Sequence, residues 1–180
     1  MEWMPTESFL AGIKPSCYEC LAQLPPDALK KLEKFPRFSV YPGYDIFFRD
    51  EPERDGFAKA VENLSRDSTE FHRLLGLALG FPPRAVDFYV KRISGELNRE
   101  QFYEQKVGLY HAGVWCAGHK RDIIENMGWL WERYPYHDQS KVATYHNNDR
   151  QAYPVQYGDY ETLHRLAERL NKASDPVDGT

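Results

Sequence analysis

The sequence predicts a mixed α+β (mixed α/β) fold: one compact domain with a small central sheet flanked by about six helices, a coarse count from periodicity. Three observations predict it. Segments of helical and strand period follow one another along the chain, but no regular βαβ series emerges. Pro, Gly and capping residues punctuate them without any Gly/Ser linker, repeat or low-complexity block. The length of 180 residues fits a single domain. A domain of that size buries roughly 70% of its unfolded surface, so it needs no disulfide or metal staple.

The elements read in order. "SFLAGI" is a short apolar strand ended by Pro15. "PPDALKKLEKF" is a short helix, with Pro26 in the first turn, where its missing N–H costs nothing. "RFSVYPGYDIFFRD" is a strand pair around Pro42-Gly43. "RDGFAKAVENL" is a helix with Phe57, Val61 and Leu64 on one face. Ser68 caps a helix in "EFHRLLGLALGF", and Pro82-Pro83 restarts the chain into the helix "RAVDFYVKRI". "KVGLYHAGVWCA" alternates, in part, as one strand, and "RDIIENMGWLWERY" is a strong amphipathic helix. "KVATYH" and "YPVQY" form a hairpin around "NNDR", with Pro154 placing the second on an edge. Asp159 caps a last helix, "YETLHRLAERL". The domain spans 1–173, and "SDPVDGT", 174–180, is a flexible tail.

Composition narrows the function. Net charge is −4 with both signs interspersed and no basic block, which disfavours nucleic acid. The longest uncharged apolar run, "LLGLALGF", is too short to span a bilayer, and "MEWMPTESF" does not read as a secretory signal. Three cysteines, an odd number, point to free thiols in a reducing cytoplasm. An aromatic content of 14% favours a dense core or an aromatic-lined surface.

The segment "EFHRLLGLALGFPPRAVDFY" is the most distinctive. His72, Gly76 and Gly80 recur at steps of four, which aligns them on one helical face. Gly80 precedes Phe81-Pro82-Pro83 and reads as a left-handed helix stop. Gly76 is mid-helix, where glycine costs roughly 1 kcal/mol against alanine, so it marks close approach of another element or a groove beside His72.

The segments "FLAGIKPS", "FHRLLGLALGFPPRAVDFY" and "YHAGVW", in that order, resemble an uncharacterised bacterial family, domain-of-unknown-function family 3793. The likeness falls on Leu10 to Lys14, on His72, Leu79 to Pro82, Val86 and Phe88, and on Gly113 and Trp115. Phe81 stands where the family has tyrosine, and Ala85 where an acid is common. The resemblance implies an architecture and candidate positions, and no activity.

Four constellations could carry chemistry. Cys17-x-x-Cys20 and Cys116-x-x-His119 together make a Cys3His set suited to tetrahedral zinc, although neither pair has the usual knuckle glycine; the alternative is three free thiols. Read as strand, CxxC and helix, "SFLAGIKPSCYECLAQL" has the order of a redox site with Cys17 at a helix start, interrupted by Pro25-Pro26. Cys116 with His111 or His119 could form a nucleophile and base, with no hydrolase motif around them. "WCAGHKRDII" leads through Gly118 into a helix start carrying His119, Lys120 and Arg121, a place for an anion. His137, His146 and His164 read as surface residues.

The expected function is therefore a cytoplasmic binding or accessory protein. Its groove would hold a small anionic ligand or a protein partner through Lys14, His72, Gly76, Phe81, Trp115, His119 and Lys120. No residue is singled out as catalytic and no cofactor is expected. The rivals are a thiol-dependent redox or Cys/His enzyme using these cysteines, and a protein-interaction module with a structural zinc on Cys17, Cys20, Cys116 and His119.

Overall fold

In the computed structural model, residues 3–146 and 149–172 are described; the expected tail, 174–180, lies outside them, as do Asn147, Asn148 and the side chains of His146, Asp149 and Arg150. The fold is mixed α+β, with two antiparallel sheets in place of the single central sheet expected, and eight α-helices among the described residues.

The first sheet is built on the "RFSVYPGYDIFF" hairpin. Strands β1 (Ser16–Cys20), β2 (Arg37–Tyr41) and β3 (Tyr44–Phe48) pair in the order β1-β3-β2. Strand alternation gives β3 two apolar faces. Ile46 and Phe48 join Val40 under helices α3 (Glu51–Val61) and α4 (Thr69–Ala78), meeting Phe57, Val61, Phe71 and Leu79. Phe47 points the other way, to Cys17, Leu32 of helix α2 (Pro26–Leu32) and Phe9 of helix α1 (Pro5–Leu10).

Helix α1 corrects the strand expected over "SFLAGI". Pro5 sits in the first turn, where its fixed φ favours a helix, and Glu7 Oε2 accepts the Met4 N–H at 3.0 Å. Those upstream residues, more than the apolar run itself, set the local conformation.

The second sheet runs β5-β4-β6-β7, from β4 (Lys106–His111), β5 (Val114–His119), β6 (Gln139–His146) and β7 (Asp149–Gln156). Pro154 lies on β7, an edge strand, as expected. The single strand expected over "KVGLYHAGVWCA" is in fact the β4–β5 hairpin. Ala112 and Gly113 both take positive φ, 49° and 83°, which makes a type I′ turn. Helices α7 (Ile123–Arg133) and α8 (Tyr160–Lys172) cover this sheet through a core of Leu109, Val142, Val155, Met127, Leu130, Trp131 and Leu163.

Two further helices lie between the sheets in sequence. Helix α5 (Pro83–Ile93) begins where the Pro82-Pro83 restart is expected, and it packs on α4 and on β5. Helix α6 (Arg99–Gln105) was not expected; Asn98 and Gln101 form a reciprocal cap that marks its start. Phe81, in the α4–α5 connection, packs against both the α3–α4 core and the α7–α8 core.

Candidate functional site

The junction at Phe81 opens into a cavity of about 400 Å³. One wall is the face of α4 that carries His72, Leu75, Gly76 and Leu79 at steps of three and four. Ala85, Val86 and Tyr89 of α5 form the second wall, and Tyr18 of β1 and Tyr41 of β2 close it from the small sheet. Trp115, Cys116 and Ala117 of β5 complete it from the large sheet. Consecutive residues of one strand share a cavity here because β5 is an edge strand and the space wraps its open side.

The hairpin fixes what that edge offers. In a two-residue I′ hairpin the closing pair, His111 and Val114, is the hydrogen-bonded one. The pairs alternate, so Trp115 and Ala117 turn their backbone N–H and C=O away from β4, toward the cavity side. Helix α1 buttresses this turn: Ser8 Oγ donates to the Ala112 carbonyl at 2.6 Å, and a β-carbon on Gly113 would meet Ser8 at 2.3 Å.

Four of the residues expected to form the groove thus meet in one space, His72, Gly76, Phe81 and Trp115, together with Cys116 from the thiol readings. His72 is half-buried, and burial holds its imidazole below the usual value, offset in part by Asp67. It is neutral at pH 7 and offers one ring donor and one acceptor. Tyr89 lies edge-on to it, with ring centroids 6.0 Å apart. Tyr41 spends its hydroxyl on the Arg66 carbonyl at 3.2 Å. The lining holds no Asp, Glu, Lys or Arg among the described residues.

Gly76 satisfies both readings offered for it. A β-carbon there would stand 2.9 Å from Val86 Cγ2, so close helix packing needs it, and it also lines the cavity. Gly80 lies beyond α4 and off that face. Its φ is +75°, as expected for a stop, and its carbonyl accepts the Tyr134 hydroxyl at 2.9 Å.

The shared groove expected from sequence is divided. Lys14 is 3% exposed and sits behind the lining, its Nζ 5.9 Å from the centroid of Phe81. Arg49 holds the Lys14 backbone in place by donating twice to its carbonyl, at 3.0 and 2.6 Å. His119 and Lys120 are separated from His72 altogether. They line a different, polar depression with Glu104, Arg121, Asn171 and Lys172. His119 Nδ1 accepts the Arg121 N–H at 2.9 Å and so caps the 3-10 turn Lys120–Asp122 that precedes α7. The division follows from the strand: from Trp115 to His119 is four residues, roughly 13 Å of extended chain.

The cysteine expectations are corrected by the same geometry. "CYEC" is strand β1, not a turn or a helix start. A spacing of three along a strand sends Cys17 and Cys20 to opposite faces, and Cys116 and His119 on β5 diverge likewise. Among the described residues no three His, Cys, Asp or Glu side chains gather as a metal set. Burial pushes the thiols of Cys17 and Cys116 up to about 12, the reverse of an activated thiolate. His111, the other base considered for Cys116, is fully buried between Ser140 Oγ at 2.9 Å and the Tyr134 carbonyl at 2.8 Å.

Sequence reasoning missed Tyr18, Tyr41 and Tyr89. Alternation along β1 and helical spacing from Val86 carry a signal for which face each residue takes, but nothing local says that the three faces converge.

No model of a known protein family, no curated protein and no solved structure matches this chain. No helix among the described residues is long and apolar enough to cross a membrane.

Proposed function

We propose that this protein is a cytoplasmic binding or accessory protein that holds a small ligand in the cavity between His72 and Trp115. The observation that carries the reading is the convergence of His72, Gly76, Phe81 and Trp115, from two helices, their connection and an edge strand, on one aromatic-lined space. Its volume of about 400 Å³ falls in the range of small-molecule sites, and its walls are mostly apolar with a few polar groups to orient a ligand. That size favours a small molecule over a protein partner. The segment that carries most of the resemblance to family 3793, His72 to Phe88, also builds two walls of the cavity.

Titration with the neutral aromatic dye N-phenyl-1-naphthylamine tests the reading. Its fluorescence rises on entering an apolar site. One dye per chain is expected to bind, and Ala117→Trp, which places an indole in the cavity, is expected to abolish binding. A dye that fails to bind, or binds the variant equally well, overturns the reading.

A further inference from the structure

The cavity leaves one group unexplained. Lys14 is buried, which is rare for lysine without a paired carboxylate. Among the described residues its Nζ takes part in no hydrogen bond or ion pair. The groups that act on it are Cys17 and Glu19 from β1 and Cys116 from β5. The two thiols are neutral near pH 7. Glu19 is beyond ion-pair reach and accepts a hydrogen bond from Thr6 Oγ1. Among the described residues, the ring placed against the ammonium is Phe81.

Phe81 and Cys116 are also cavity lining. The ammonium therefore stands directly behind one end of the space proposed to hold a ligand. Among the described residues the lining itself has no acidic or basic side chain besides His72; behind it, Glu19 acts on Lys14 from beyond ion-pair distance, and Arg49 is turned to the Lys14 and Phe9 carbonyls. An anion entering there meets an apolar surface with the Lys14 ammonium, which has no ion-pair partner among the described residues, behind it. A doubly charged phosphate would be left half compensated in that setting; a monocarboxylate would not. The rest of the lining, with Tyr18, Tyr89 and Trp115, suits a flat apolar body.

Resting on the reading of the cavity as a ligand site, we infer that its ligand is an aromatic monocarboxylate, whose carboxylate faces the Phe81–Cys116 wall with Lys14 as counter-charge, and that Lys14 takes up a proton as the ligand enters at alkaline pH. Burial, offset in part by Cys17, Glu19 and Cys116, lowers Lys14 to about 8, so at pH 9 most of the empty protein carries the neutral amine. A carboxylate at the wall restores the ammonium, which draws a proton from solvent. At pH 6.5 the ammonium is already present and no proton moves.

The test compares indole-3-acetate with indole-3-acetamide, equal in shape and different in charge, by titration calorimetry. The acetate is expected to bind at least tenfold more tightly at pH 7, and Lys14→Met to remove that preference. At pH 9, titrations in two buffers of different ionisation enthalpy are expected to show uptake of a large fraction of one proton, and at pH 6.5 none. Equal affinity for the pair, or no proton uptake at pH 9, overturns the inference while the neutral dye still binds. Failure of both indoles beside a dye that binds also overturns it. Failure of the dye as well strikes the cavity reading itself. The wild-type comparison decides the matter even if Lys14→Met does not fold.

Discussion

A β-carbon on Gly76 would stand 2.9 Å from Cγ2 of Val86, across the crossing of α4 and α5. The helix accepts a glycine there because the Val86 side chain already fills the space that a β-carbon would take. Gly76→Ala gains roughly 1 kcal/mol of helix propensity. It loses about 1–3 kcal/mol by overpacking. The expected outcome is a net loss of about 1 kcal/mol, weaker dye binding, and recovery of stability in the double variant Gly76→Ala/Val86→Ala. Urea unfolding of the three proteins checks it; a stabilised single variant would mean the crossing relaxes freely.

Lys14 is expected to cost the fold stability. Burial lowers its pKa from 10.5 to about 8, which corresponds to roughly 3 kcal/mol. The unfolded chain binds more protons than the native one between those values, so stability rises with pH across that window. Below pH 8 the penalty is fully present. Lys14→Met keeps the chain length and removes the charge. It is expected to be more stable at pH 7 by up to roughly 3 kcal/mol, and to lose the rise between pH 8 and 10.5. Urea midpoints at pH 7 and 10 read both effects.

His111 sets an acid limit. Its Nε2 faces a carbonyl, that of Tyr134, and therefore carries the proton; Nδ1 accepts from Ser140, whose Oγ in turn accepts Trp131 Nε1–H at 2.7 Å. Burial, the largest effect, holds the imidazole below 6.5. The unfolded state is thus protonated first, and stability falls as pH drops below 6.5 toward the folded value. His111→Phe keeps the ring beside Tyr157 but leaves polar partners unpaired, at about 1–3 kcal/mol at pH 7. Its acid slope is expected to be shallower, with the remainder from His72 and His119, whose imidazoles burial also lowers. Denaturation from pH 7.5 to 4.5 provides the slopes, and unchanged slopes would remove His111 as a cause.

The three thiols are expected to separate in reactivity. Cys17 and Cys116 sit at about 12, so at pH 8 about one in ten thousand is thiolate. Cys20 lies half-buried at the end of β1. A disulfide reagent is expected to label Cys20 first in the native protein and all three after unfolding, located by peptide mass spectrometry. Rapid native labelling of Cys116 would show that the cavity admits the reagent to its sulfur.

Much of this molecule was legible residue by residue. Ser68 and Asp159 as caps, Pro82-Pro83 as a restart, Gly80 as a left-handed stop and Pro154 on an edge all follow from chain geometry that acts within a few residues. The His72–Gly76 face was legible for the same reason, since a helix aligns residues four apart wherever it sits. Errors arose where local cues compete. The apolar "SFLAGI" yields to Pro5 and Glu7 upstream, and the alternation of "KVGLYHAGVWCA" conceals a turn at Ala112, a residue that rarely takes positive φ.

What only the tertiary structure decided is who shares a space. Cys17 and Cys20 look like a pair in sequence and are parted by the pleat, while Lys14 and Phe81, far apart in sequence, are brought together beside Cys116. The physical reason is the edge position of β5. An open strand edge, met by the α4–α5 crossing and by Tyr18 and Tyr41 of the other sheet, encloses a cavity that no single element prefigures. The sequence alone determined the faces each element presents; packing two sheets around one helix pair determined which faces meet.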